Sequence, residues 1–479
     1  MGGEPNSARI GGEELTTEKR PELVKGIGLF GAISVVAGTM IGTAIFVVPS
    51  RMLQLVGSPA RVLAVWVFAG ALSLCGALGY AELGAALPKA GGEYVYIYRA
   101  YAPWLGFLYA WTQFVIAKST SIAAIATGFV LYLSYFFPKL ASPFWQRQAS
   151  FAGHAATFSL TGLQIGAVAM IALLSGINVL GVRRAGVVQT LFTASKLLVL
   201  AVLIILGLAL GKGSFEHFSA LSPASLHPGW LAAFGVATIS ALWAYDGWNN
   251  LSMVAGEAEN PQRNMPRALI LGTVVVITVY VFVNISYFYV VAPSNALGTQ
   301  TIAADAARVF LGKAGGAFIA IGVMISTFAT LNGSILSGSR VPYAAALDGL
   351  FPESIGSVHP RFRTPGVSIA AQAVIASLFA LTGSYDALYT KAIFSEFLFY
   401  ALVTAGIFVL RRREPALERP YRTWGYPVVP GIFVLLAVVL LANTVFQQRT
   451  DSLWGLGLVG SGIPVYFLWR LWQRRKGRG

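Results

Sequence analysis

About twelve apolar stretches fill most of this chain, and their length limits what it can fold into more than any other feature. They run near residues 27–48, 60–87, 104–135, 160–181, 186–210, 231–255, 267–293, 313–342, 365–385, 388–410, 427–447 and 452–470. A bilayer core asks for roughly 20 consecutive apolar residues per helix, and the longer stretches fit a tilted span. The chain is 56% hydrophobic and 11% charged, which is more apolar surface than one soluble core can bury. The expectation is an all-α integral membrane protein of about twelve transmembrane helices.

Two of these stretches are interrupted at corresponding places. The first contains Gly38-Thr39-Met40-Ile41-Gly42-Thr43-Ala44-Ile45-Phe46, and the sixth contains Trp243-Ala244-Tyr245-Asp246-Gly247-Trp248-Asn249. In lipid each unpaired backbone group costs several kcal/mol, so a broken helix persists only where protein, a cavity or a ligand pairs those groups. A matched pair of breaks in two halves of a membrane chain points to a transporter's substrate site. A half-helix starting near Thr43 offers N–H groups and the positive dipole end to a carboxylate, and one ending near Met40 offers carbonyls to an ammonium. Taken alone, Gly38 and Gly42 also fit a helix-packing Gly-x-x-x-Gly face.

The net charge of +15 reports topology, not nucleic acid. Roughly 23 of the 34 Lys and Arg residues fall on one side of the span map, among them Arg183, Arg184, Arg263, Arg267, Arg361, Arg363, Arg411 to Arg413, Arg419, Arg422 and the tail Arg474 to Arg478. That side is expected to be cytoplasmic and to hold both termini, in a cell membrane. Residues 1–26 are polar with no cleavable signal, so the first span serves as its own insertion signal. Cys75, the single cysteine, lies in the second span and rules out an internal disulfide framework. The histidines are too scattered for a metal site, and no cofactor is expected. Residues 88–101 read as an interfacial segment folded on the cytoplasmic mouth, and residues 299–312 as a short amphipathic helix on the outer face.

Spans one to five start inside and spans six to ten start outside. That is the orientation of inverted repeats, although no residue-level repeat is visible. The expected organisation is a cytoplasmic tail (1–26), a first repeat (27–210), a second repeat (231–410), two added helices (427–470) and a basic cytoplasmic tail (471–479).

Four motifs in order carry a family resemblance over about residues 27–425: Gly38 to Phe46, Tyr80-Ala-Glu82 through Pro88 to Gly91-Gly92-Glu93-Tyr94, Ala244 to Asn249, and Gly256-Glu257 through Asn260-Pro261, Arg263-Asn264 and Pro266. The chain resembles the amino acid, polyamine and organocation transporter superfamily, within it the L-amino-acid transporter branch and its bacterial relatives. The resemblance implies a leucine-transporter-like fold of five plus five helices and alternating access around a midplane amino-acid site. It places the substrate carboxylate on the backbone N–H groups of Thr43, Ala44 and Ile45 beside Gly42, with the Thr43 hydroxyl assisting. It places the amine on carbonyls at Met40, Trp243, Ala244 and Asp246, with Trp243, Trp248 and Asn249 shaping and gating the pocket. Where the family has Gly-Ser-Gly this chain has Gly42-Thr43-Ala44, so the Ala44 methyl displaces or shrinks the pocket. Where animal members of the branch have glycine it has Asp246, an acid at membrane depth that either pairs the ammonium, carries a proton, or only caps the broken helix. Animal light chains of the branch join a heavy chain through a cysteine before the fourth span; residues 136–159 have none, so no disulfide-linked partner is expected.

Lys196 lies more than three turns past Arg184, roughly 18 Å along a helix at about 1.5 Å per residue, too deep for easy snorkelling. The resemblance gives a lysine here the place of a sodium ion, bridging carbonyls of the first break to an eighth-span hydroxyl among Thr330, Asn332, Ser334 and Ser337; the alternative is a structural salt bridge. Glu396 in the tenth span is a further coupling candidate, with Lys118 to neutralise it or Asp246. Glu82 and Glu257 read as inner-gate acids for loop arginines such as Arg263. The expected function is sodium-independent transport of neutral L-amino acids by exchange or with a proton, with the substrate, protons and the bilayer as partners. A cationic amino-acid or polyamine antiporter is the alternative. A channel would need a polar pore-lining ring and a sensor a signalling domain, and the sequence has neither. No constellation of an enzyme is present.

Overall fold

The computed structural model describes residues 23–475, apart from 152–153, 212, 220–228, 298, 300–301, 383–384 and 448. Each of the twelve apolar stretches coincides with a helix or a broken pair of helices. Among the described residues six helices are long and apolar enough to cross a membrane, and Leu29–Met40 with Ala44–Val56 makes a seventh span bent by 41°. Shorter apolar helices include Trp230–Tyr245 and Gly366–Thr382. The architecture is that of an all-α membrane protein.

Local chemistry sets the helix starts. Ser58 accepts from the Arg61 N–H at the head of the second span, with Pro59 in the first turn. Thr161 and Gln164 form a reciprocal capping box at the fourth. The fifth span, Val182–Leu210, shows how the bundle meets lipid. Val187, Leu191, Leu198 and Ile205 are exposed, whereas Gln189, Thr193 and Lys196 are buried. A helix whose apolar face points outward and whose polar face points inward is built for hydrocarbon surroundings.

The two breaks touch. The first span stops at Met40 and restarts at Ala44, and the sixth stops at Tyr245 and restarts as the short helix Asn250–Met253. Gly247 lies between, at φ +118°, and a Cβ there would sit 2.8 Å from the Thr39 carbonyl carbon. Only glycine tolerates both that φ and that approach. The Thr39 hydroxyl lies 2.6 Å from the Val35 carbonyl and 2.7 Å from that of Gly247, bonding one break to the other.

The third span is continuous from Pro103 to Leu133 but contains a π-helical turn at Thr112–Ala117, immediately before Lys118. Such turns insert one residue into an α-helix and recur at functional sites.

Two connections differ from the sequence expectation. The segment after the second span packs more deeply than a surface segment would: its helix Glu93–Ala100 buries Glu93, Tyr94, Tyr96 and Ile97 in the core. Its start is pinned to the sixth span by the Gly91 N–H, 2.8 Å from the Met253 carbonyl, and by Gly92, where a Cβ would sit 2.5 Å from Ser252 backbone. Residues 136–159, for which the sequence offered no element, contain most of an antiparallel hairpin of Pro143–Phe151 with His154–Thr161. Its aromatic and threonine residues favour extended backbone. The expected short helix is present at Ile302–Leu311, its alanine face buried and Asp305 paired with Arg308.

Candidate binding site at the two broken helices

A small cavity lies where the breaks meet. Thr39, Met40, Gly42, Thr43 and Ala44 of the first span form one wall, and Trp243, Asp246, Gly247 and Asn250 of the sixth form another. Lys118, Ser121 and Ile125 of the third span and Thr330 and Ser334 of the eighth complete it. The N-terminal turn of Ala44–Val56 opens on this space, and the first N–H groups of a helix lack intrahelical acceptors. The lining is small and rich in hydroxyls, and it suits a compact polar molecule better than a large apolar one.

Of the residues singled out in the sequence, Met40, Gly42, Thr43, Ala44, Trp243, Asp246 and Ser334 line the cavity. Ile45, Ala244, Trp248, Asn249 and Glu396 stand outside it. Ile45 is fully buried in the core. The carbonyls of Met40 and Ala244 both accept from the Tyr280 hydroxyl, at 3.0 and 2.9 Å, so they serve first to tie the two breaks to the seventh span. Trp248 packs edge-on against Tyr80, with ring centroids 4.6 Å apart, and lies 5.3 Å from the Tyr400 ring. These three aromatics make a plug beneath the cavity, on the side of the arginine-rich loops.

Lys196 reaches the far side of the first break. Its ammonium donates to the carbonyls of Gly38 at 2.7 Å, Ile41 at 2.5 Å and Ser326 at 3.1 Å, and lies 3.2 Å from the Thr330 hydroxyl. The hydroxyls of Ser326 and Thr330 also donate to the Ile41 carbonyl, at 2.7 and 2.9 Å. No carboxylate takes part among these contacts. One ammonium thus gathers oxygens from the first and eighth spans as a bound cation would.

A second charged group adjoins the cavity. Lys118 donates to Asn250 at 2.8 Å and lies 3.8 Å from Glu396, which also accepts from Gln113 at 2.9 Å. Asp246 accepts from the Tyr400 hydroxyl at 2.6 Å. Gln113 lies in the π-helical turn and Lys118 directly after it, and both side chains reach the one carboxylate of Glu396.

The arginine-rich side is sealed by ion pairs. Glu257 pairs with Arg340 at 2.7 Å, both side chains fully buried, rather than with Arg263. Arg340 follows directly on the eighth span and reads in sequence as its end. Glu82 is held by Arg411 at 2.7 Å, by Arg419 at 3.4 Å and by Thr423. Deeper in, Glu93 accepts from Tyr80 at 2.7 Å, Tyr109 at 2.5 Å and Asn249 at 3.1 Å. Sequence reasoning passed over Glu93 and Tyr280. The signal for Glu93 was an acid directly after two glycines among tyrosines; Tyr280, one aromatic in an apolar run, gave none.

The family model described as amino acid permease matches residues 27–465. The serine/threonine exchanger SteT of Bacillus subtilis (strain 168) is 33% identical over 451 residues, covering 93% of this chain and 97% of that protein. The human b(0,+)-type amino acid transporter 1 is 33% identical over 454 residues, 94% of this chain and 89% of that one. The human large neutral amino acids transporter small subunit 2 is 32% identical over 464 residues, 95% and 82%.

Proposed function

The chain belongs to the amino acid permease family, and on that premise we propose a sodium-independent transporter of neutral L-amino acids, working by alternating access as an exchanger or with a proton. The observation that carries this reading is the position of Lys196. Its fixed ammonium joins the broken first span to the eighth, so no mobile cation is needed to hold those carbonyls together. The small, hydroxyl-lined cavity supports a substrate with a short side chain. Its carboxylate would meet the helix start at Thr43 and Ala44, and its ammonium would lie toward Asp246.

In this reading the two sets of five helices are inverted repeats that rock about the cavity, and the last two helices lie outside them. The arginine-rich loops support a cytoplasmic position for both termini, and a cell-membrane location goes with this reading. The lack of cysteine in residues 136–159 supports work without a disulfide-linked heavy chain.

Asp246 on the cavity wall favours a second reading, exchange of cationic amino acids or polyamines, which Lys118 opposes on the same wall. Radiolabelled uptake into proteoliposomes tests both. Neutral amino acids should compete and choline should replace sodium without loss. Competition by cationic compounds alone would establish the second reading, and sodium-stimulated uptake would overturn sodium independence.

A further inference from the structure

Three carboxyl groups and one ammonium lie together on the third, sixth and tenth spans and the helix beneath them, all buried except the half-buried Asp246. Asp246 and Lys118 line the cavity, Glu396 lies beside it, and Glu93 lies on the cytoplasmic side of the aromatic plug. Glu93 is fully buried and has no cation in contact among the described residues; the Lys118 ammonium is taken by Asn250 and Glu396. The groups that face Glu93 electrostatically are Tyr80 of the second span, Tyr96 of its own helix, Tyr109 and Lys118 of the third, and Glu396 and Tyr400 of the tenth. Lys118 is the one cation in that set. With all three acids ionised, the group carries two uncompensated negative charges in a low-dielectric interior. A net charge of that kind is relieved by binding protons.

We propose that Glu93 is the cytoplasmic-side proton site of the transport cycle, protonated in the sealed molecule and deprotonated when the inner side opens. The inference rests on the transport reading and decides its coupling in favour of the proton. Glu93 is placed to sense opening because its contacts are the seal itself. Asn249 and the segment against Gly91 and Gly92 belong to the inner half of the sixth span, and Tyr80 packs on Trp248. The Asn249 side-chain oxygen has no hydrogen-bond partner among the described residues, so the reversed amide can accept the O–H of a neutral Glu93. Parting the sixth span from the helix at Glu93 breaks the Asn249 contact and admits water. The proton then passes from the carboxyl oxygen to cytoplasmic water, and the hydrated carboxylate remains. Asp246, on the cavity wall, is the acid through which the opposite face recharges the group.

The test is uptake into proteoliposomes under an imposed inward proton gradient, with lumenal pH recorded by a trapped dye. The parent should accumulate amino acid and acidify the lumen. Glu93→Gln should lose accumulation more than tenfold, while exchange at equal pH falls by less. Tyr109→Phe removes a donor that favours the carboxylate, so the midpoint of the pH dependence should move up by about half a unit or more. Accumulation by Glu93→Gln equal to the parent's overturns the proposal, as does exchange in the parent without proton movement; the latter leaves the transport reading standing, whereas absence of any amino-acid flux removes that reading too. Should Glu93→Gln not fold, an unmoved midpoint in Tyr109→Phe overturns it as well.

Discussion

The Tyr280 hydroxyl lies 3.0 Å from the Met40 carbonyl and 2.9 Å from the Ala244 carbonyl, so one side chain of the seventh span holds an end of each broken helix. Its ring is fixed by Trp66 and Tyr245, with centroids 5.2 and 5.0 Å away. Tyr280→Phe keeps that packing and removes only the tie. The expected result is a loss of stability of about 1–3 kcal/mol for carbonyls left short of a donor, with exchange slowed several-fold. Unchanged exchange together with an unchanged melting temperature would show that the tie is idle.

Lys196→Ala strips the Gly38 and Ile41 carbonyls of their ammonium. At roughly 1–3 kcal/mol per lost partner, the loss matches the small gaps between conformers of a transport cycle. Transport should fall strongly, through turnover or apparent affinity, and wild-type uptake should be indifferent to replacing sodium by choline. A fully active Lys196→Ala protein in sodium-free buffer would sink the idea.

The two break glycines should respond differently to substitution. A Cβ on Gly42 meets nothing nearer than the Thr330 methyl at 3.8 Å, whereas one on Gly247 would press on Thr39 backbone at a positive φ. Gly42→Ala should therefore fold normally, Gly42→Leu should fold but lose substrate binding by filling the cavity, and Gly247→Ala should lose both stability and transport. Melting curves in detergent alongside uptake separate the three, and wild-type affinity in Gly42→Leu would make that break a packing face.

Ion pairs at two depths offer a further contrast. Removing one partner of the buried Glu257–Arg340 pair with Arg340→Ala strands a charge and should cost about 3–5 kcal/mol. The Arg99–Glu414 pair is partly exposed, and Arg99→Ala should cost no more than about 1 kcal/mol. A hydrogen bond from Arg99 holds the Glu414 carboxyl below its usual range. The sign follows: that small contribution is present above the ordinary carboxylate range and is lost as pH falls through the lowered value. Equal costs at the two sites, measured by thermal unfolding, would contradict the assigned burial.

What the sequence revealed and what it hid divide along physical lines. Both breaks were legible because glycine and polar residues interrupt an apolar period locally. Lys196 was legible because an ammonium deep in a span demands partners. The partners of Tyr280, Glu93 and Arg340 were not, because each bond joins elements far apart in the chain. An aromatic in an apolar run, an acid in a connection and an arginine at a span's end have ordinary local explanations. Pocket membership likewise depends on how each half-helix is rotated, which decides why Trp243 faces the cavity and Trp248 the plug.

The π-helical turn at Thr112–Ala117 gives the third span one residue more than its path across the membrane requires. A chain shortened by one residue there would run as a plain α-helix and still present everything beyond Lys118 to the same neighbours. The surplus residue is therefore dispensable for assembly, and its effect is confined to how Gln113 and Lys118 converge on Glu396. Length variation among related chains at this one turn would retune the charge beside the cavity while leaving the scaffold untouched.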